Sequence, residues 1–148
     1  TAGSIGLLPR SIPDMPVIVM NGDLLTKVNF ERLLEFHEEC GGASTMCVRE
    51  YDFEVPYGII ESDGNKVKRI VEKPVHSFFV NAGIYIITPE LVRSVGVAKY
   101  LDMPNFLNSN LDAGEQVNVY PIHEYWVDIG QLDEYQLARE NYSEEFKS

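Results

Sequence analysis

Pro16-Val17-Ile18-Val19-Met20-Asn21-Gly22-Asp23 is the stretch on which the fold class turns. A short, β-branched, continuously apolar run closed by Asn-Gly-Asp predicts a strand buried on both faces, as in a parallel sheet. Downstream, Phe30, Leu33, Leu34 and His37 fall at i, i+3, i+4 and i+7, with Asn29 placed to cap a helix and Gly41-Gly42 to stop it. Ala43 to Arg49 is the next strand. Strand, helix and strand in that order form a βαβ unit, whose crossover is nearly always right-handed.

Further along, Asp63-Gly64 between two β-prone arms signals a hairpin turn. The second arm ends in Glu72-Lys73-Pro74, held extended before the proline. Phe78 to Thr88 reads as another apolar strand, and Thr88-Pro89-Glu90 as a helix start with proline in the first turn. Asp102-Met103-Pro104 opens a helix with Phe106, Leu107 and Leu111 on one side, stopping near Gly114. Gln116 to Tyr120 alternates as a strand, Tyr125 to Asp128 follows, and Gln131 to Tyr142 is a last amphipathic helix. The expected architecture is one α/β domain over residues 1–148, with a mixed, mostly parallel sheet and an inserted β-hairpin.

Composition narrows the function. The chain has 148 residues, 45% hydrophobic and 24% charged, enough for one domain with a real core and unlike a disordered segment. Its 12 Lys+Arg against 23 Asp+Glu give a net charge of −11, which repels nucleic-acid backbones and anionic lipid. Neither nucleic-acid nor membrane binding is expected, and no apolar run approaches the ~18 residues of a span. Binding a small anion needs a metal or a local Lys to reverse the field. Cys40 and Cys47 lack C-x-x-C spacing and are too few for a disulfide framework, so a reduced cytoplasmic setting fits. No G-x-S-x-G, G-x-G-x-x-G or P-loop motif occurs, which leaves hydrolase triads, Rossmann cofactors and P-loop nucleotides without support.

Candidate chemistry sits at strand ends. Asp23 and Asp128 each close an apolar strand, where open α/β sheets bind ligands and where a carboxylate can hold a metal. Each also reads as a cap, Asp23 of a turn or the first helix and Asp128 of the last helix. Lys73 is a natural phosphate contact and Glu72 an acceptor for sugar hydroxyls, although charge pairs on strand edges also serve as solvated salt bridges. Asn81-Ala82-Gly83, inside a strand otherwise too apolar for Asn, marks a bulge or close approach by a ligand. His37, on the apolar helix face, reads as a satisfied histidine at the edge of the core.

V-M-N-G-D-L-L-T, V-P-Y-G, V-E-K-P, V-N-A-G-I-Y and W-V-D-I-G occur in this order. Together they resemble the sugar-phosphate nucleotidyltransferases, the group containing glucose-1-phosphate and mannose-1-phosphate nucleotidyltransferases, over almost the whole chain. The resemblance implies a Rossmann-like three-layer sandwich in which a sugar-1-phosphate oxygen attacks the α-phosphorus of a nucleoside triphosphate, forming an NDP-sugar and releasing pyrophosphate. It implies Asp23 and Asp128 as Mg²⁺ ligands, Glu72 as a sugar-hydroxyl contact and Lys73 as a contact to the sugar phosphate. Gly58, Asn81, Ala82 and Gly83 become the wall under the sugar ring, with Trp126 packing beside it.

Thr1-Ala2-Gly3-Ser4 resembles the latter part of the family's G-T-A-G-[AS] turn, which lies well inside its domain. The expectation is a C-terminal, N-terminally truncated portion of a larger enzyme, without the glycine-rich G-x-G-T-R-L loop that holds the triphosphate. Such a chain is expected to be inactive by itself, and either to self-associate through the edge left open or to bury that edge under a rearranged N-terminal segment, with the apolar residues from Ile5 to Ile12 contributing. The competing expectation is a catalytically silent module that binds sugar nucleotides.

Overall fold

The computed structural model describes residues 1–96, 100–130 and 132–146, with only the backbone described at 132–134, 137, 143 and 144. The chain divides into two compact units, one made of Thr1–Val48 and Asn81–Ser148, the other of Arg49–Val80.

The first unit is built on a sheet in which β1 (Val17–Met20), β6 (Val75–Ile87), β3 (Ser44–Glu54) and β7 (Val117–Pro121) lie in that order. It is mixed, as expected: β3 and β7 run parallel, and β1 and β6 antiparallel. β6 supplies the centre. Its Ile84 and Ile86 pack with Leu33, Cys47 and Ile122 in one cluster, while Tyr85 and Ile87 pack with Leu91, Met103, Phe106 and Leu107 in another. That strict alternation over a strand covered on both faces makes three layers, with α1 (Phe30–Cys40) in one cluster and α2 (Pro89–Ser94) and α3 (Met103–Asp112) in the other. A 3₁₀ segment, Ala2–Leu7, adds Ala2 and Ile5 to the second cluster. The last helix, α4, spans Leu132–Phe146; Gln131, expected to begin it, lies outside the described residues.

The helix starts follow local chemistry. Asn29 Oδ1 accepts from the Arg32 N–H at 3.0 Å, and Asp102 Oδ1 from the Asn105 N–H at 2.8 Å, satisfying donors that open every helix. Thr88 stands at the cap position of α2 without a side-chain cap bond. On α1, Leu33 and His37 are buried as the spacing requires. The buried His37 Nδ1 lies 2.8 Å from Thr45 Oγ1, so the ring is satisfied within the core.

Two expectations are corrected. β1 is covered on one face only: Val17 and Val19 pack against the core, whereas Ile18 and Met20 are 38% and 44% exposed. The cluster containing α1's Leu33 takes in β6 and β3 but no residue of β1. The strands on either side of α1 that the sequence pairs in a βαβ unit, β1 and β3, lie in one sheet with β6 between them. Leu111 is 51% exposed: the buried stripe of α3 is Met103, Phe106 and Leu107.

The second unit holds the hairpin of β4 (Ile59–Asp63) and β5 (Lys66–Val71), with residues of β3 and β6. Asp63 pairs with Lys66, so Gly64 and Asn65 form the two-residue turn, with Gly64 at φ +55°. The Val55 N–H donates to the Pro74 carbonyl at 3.0 Å, and the Ser77 hydroxyl donates to Asp52 Oδ1 at 2.6 Å.

Candidate active site

The strand-end acids are brought together by an element too short to stand out in the sequence. β2 (Leu24–Thr26) pairs antiparallel with β8 (Trp126–Asp128), Leu24 opposite Asp128 and Thr26 opposite Trp126. Beyond the ladder, the Ile129 N–H donates to the Asp23 carbonyl at 2.8 Å, so Asp23 and Asp128 emerge side by side. Their carboxylates then meet over Gly130. A Cβ built there would lie 3.0 Å from Asp128 Oδ1 and 3.4 Å from Asp23 Oδ2. Asp128 Oδ1 also accepts from the Gly130 N–H at 2.9 Å, which turns that carboxylate toward the shared space.

Two hard oxygen donors converging where a side chain is absent suit Mg²⁺, which uses one or two carboxylates and takes its other ligands from water and phosphate. Among the described residues no group of three or more His, Cys, Asp or Glu side chains is disposed to hold a metal.

Asn81, Ala82 and Gly83 adjoin this region within the first unit. Gly83 sits at φ +71°, and a Cβ there would lie 2.7 Å from Asn21 Nδ2 and 3.1 Å from Leu24 Cδ1. The close approach that the sequence suggested is thus made by the chain's own Asn21, whose N–H also donates to the Gly83 carbonyl at 2.9 Å. Asn81 Oδ1 accepts from the Gly83 N–H at 2.9 Å, and the Asn81 amide meets the Tyr85 hydroxyl at 2.6 Å. Burial pushes the Tyr85 hydroxyl above its ordinary pKa, so it stays protonated and donates to Asn81 Oδ1 at 2.9 Å. Trp126 does more than pack: its Nε1–H donates to the buried Ala82 carbonyl at 2.9 Å, tying β8 to β6 just below the acids.

In the second unit, Gly58 and Glu72 face each other. A Cβ on Gly58 would fall 2.8 Å from Glu72 Oε2, so only glycine leaves that carboxylate its position. Lys73 is not extended, as its place before Pro74 implied; its φ is +43°. The turn from β5 into β6 is completed in three residues with the Pro74 carbonyl held by Val55, and Lys73 takes the left-handed conformation that closes it. A non-glycine residue there stores on the order of 1–3 kcal/mol of strain, a cost that clusters at ligand-binding segments.

Asn21 and Gly130 are the residues that inspection of the sequence did not assign to the site. Both sit inside quoted motifs, N-G-D and D-I-G, but nothing local distinguishes them from turn residues.

The model of the nucleotidyl transferase family matches residues 1–145. A Sulfolobus acidocaldarius protein named as a candidate mannose-1-phosphate guanyltransferase is 35% identical over 122 residues, covering 80% of this chain and 33% of the relative. The mannose-1-phosphate guanyltransferase of Debaryomyces hansenii is 30% identical over 138 residues, covering 88% and 38%. The chain therefore spans between a third and two fifths of the length of these relatives. Among solved structures, HddC from Yersinia pseudotuberculosis superposes with a TM-score of 0.65 at 25% identity, over 96% of this chain and 62% of HddC.

Proposed function

Since the chain belongs to the nucleotidyl transferase family, we propose that it carries the sugar-phosphate half of an enzyme that joins a sugar-1-phosphate to a nucleoside triphosphate. The sugar-1-phosphate oxygen bonds to the α-phosphorus, the bond to the β-phosphate breaks, and pyrophosphate leaves. The observation that carries this reading is the convergence of Asp23 and Asp128 over Gly130.

In this reading both compact units belong to one nucleotidyltransferase domain. Asp23 and Asp128 hold Mg²⁺, which when bound neutralises charge on the phosphate oxygens. Lys73, the cation beside Glu72, takes the phosphate of the sugar-1-phosphate, and Glu72 accepts from sugar hydroxyls across the space that Gly58 leaves open. Asn81, Ala82 and Gly83 form the wall under the sugar ring, held in place by Asn21, Tyr85 and Trp126. In-line displacement at phosphorus depends on such positioning and charge compensation rather than on covalent help. The names of the relatives make mannose-1-phosphate and GTP the first pair to assay. Two unpaired cysteines support a reducing, cytoplasmic setting, and the uncovered face of β1 supports self-association, which light scattering over a concentration series tests.

The deciding experiment measures pyrophosphate release in protein that shows the activity, with Asp23→Asn and Asp128→Asn variants. Removing one stabiliser of transition-state charge is expected to lower turnover by ~10²–10³ with the fold intact. Near-normal rates in both variants at saturating Mg²⁺ overturn the metal assignment. Sugar-nucleotide binding without turnover in any preparation favours the silent-module reading.

A further inference from the structure

Resting on the Asp23–Asp128 metal reading, we propose that Gly130 is a positioning residue, whose missing side chain lets the two carboxylates share one ion-sized space. Gly130 lies outside the left-handed region, so its backbone conformation is open to any residue. What a side chain meets is Asp128 Oδ1, a tight 3.0 Å from where a Cβ would stand, with Asp23 Oδ2 in ordinary contact at 3.4 Å.

The surrounding backbone leaves those oxygens little freedom. The β2–β8 ladder pairs Leu24 with Asp128, and the Ile129 N–H extends it by a bond to the Asp23 carbonyl at 2.8 Å. The main chains of the two acids therefore cannot spread, and only side-chain rotation is available to relieve a contact. An ordinary carbon–oxygen approach is no closer than about 3.3 Å, so a methyl group at position 130 displaces Asp128 Oδ1 by a few tenths of an ångström. The same oxygen accepts from the Gly130 N–H at 2.9 Å, and rotation away from the methyl strains that bond as well. Mg²⁺ requires near-ideal octahedral geometry, with ligand distances held within about 0.2 Å. The displacement exceeds that tolerance, so the substitution acts on the ion through Asp128 while leaving the fold alone.

The test uses Mn²⁺ as the probe and the ¹⁵N-labelled chain, reading paramagnetic broadening of backbone amides at 22–24 and 127–130 beside thermal melting. The wild type is expected to broaden at those amides, and Asp23→Asn/Asp128→Asn to lose the effect. Gly130→Ala should weaken Mn²⁺ binding about 10-fold or more, the usual cost of disturbing a group that orients a ligand, with the melting transition retained. Gly130→Val, which fills the space, should abolish it. Unchanged affinity in Gly130→Ala overturns this proposal and leaves the metal reading standing. No broadening at these amides in the wild type overturns both. Loss of binding in Gly130→Ala only together with loss of cooperative melting assigns the glycine a structural role and also overturns the proposal.

Discussion

Replacing Gly83 by alanine puts two separable penalties on the segment that backs the acids. The backbone stands at φ +71°, and a left-handed conformation costs a residue with a Cβ about 1–2 kcal/mol. The new Cβ would also lie 2.7 Å from Asn21 Nδ2, 3.0 Å from Asn21 Cγ and 3.1 Å from Leu24 Cδ1. Crowding of this kind in a packed region costs about 1–3 kcal/mol, giving about 2–5 kcal/mol in all. For a chain of this size that lowers the melting temperature by on the order of 10 °C. Two other glycines separate the terms. Gly114 has φ +85° with nothing near its Cβ position, so Gly114→Ala should lose the backbone share alone, about 1–2 kcal/mol. Gly22 is open and outside the left-handed region, so Gly22→Ala should fall within about 0.5 kcal/mol of the wild type. Urea unfolding of the three variants, compared at constant m-value, reads the series directly. If Gly83→Ala and Gly114→Ala lose the same stability, the tight packing of Asn21 and Leu24 against β6 is refuted. Because Leu24 follows Asp23 directly, the same variant should also weaken metal binding.

Lys73→Ala, in protein that shows the activity, should raise KM for the sugar-1-phosphate far more than for the nucleoside triphosphate; the opposite split moves Lys73 to the other substrate. Burial holds the His37 imidazole below its ordinary pKa, with the opposing pull of Glu38 the smaller effect. The unfolded chain therefore takes up a proton first as pH falls, so the histidine's share of stability is complete above about pH 6.5 and drains away below it. Unfolding free energy measured from pH 7.5 to 5 should accordingly fall more steeply in the wild type than in His37→Gln, and parallel curves would refute this. Burial, reinforced by Glu124, pushes the Cys47 thiol up to about 12, while Cys40 is exposed. One thiol should react with a disulfide reagent at pH 8 in the native chain and two in denaturant; two native thiols would show that the core around Cys47 is open.

Where the controlling interactions lie within a few residues, the sequence by itself determined the outcome. Asn29 caps α1 and Leu33 and His37 face inward because 3.6-residue periodicity and a free side-chain acceptor leave little choice. Ile84, Tyr85, Ile86 and Ile87 form the buried heart of β6, and a glycine beside Asp63 turns the hairpin. Asp23 and Asp128 are legible as acids at strand ends, though each also reads as a cap. Tertiary structure alone decided that they meet. β2 and β8 have three residues each, too few for a periodic signal, and their pairing joins segments from opposite ends of the chain. Gly130 matters for what is absent from it, and only the folded chain shows which oxygens occupy that space. The exposure of Ile18 and Met20 was hidden for the same reason: an apolar strand looks alike at the edge and the centre of a sheet until its neighbours are known. Lys73 went further and reversed a local rule, since closing the turn between β5 and β6 outweighs the extended preference of a residue before proline.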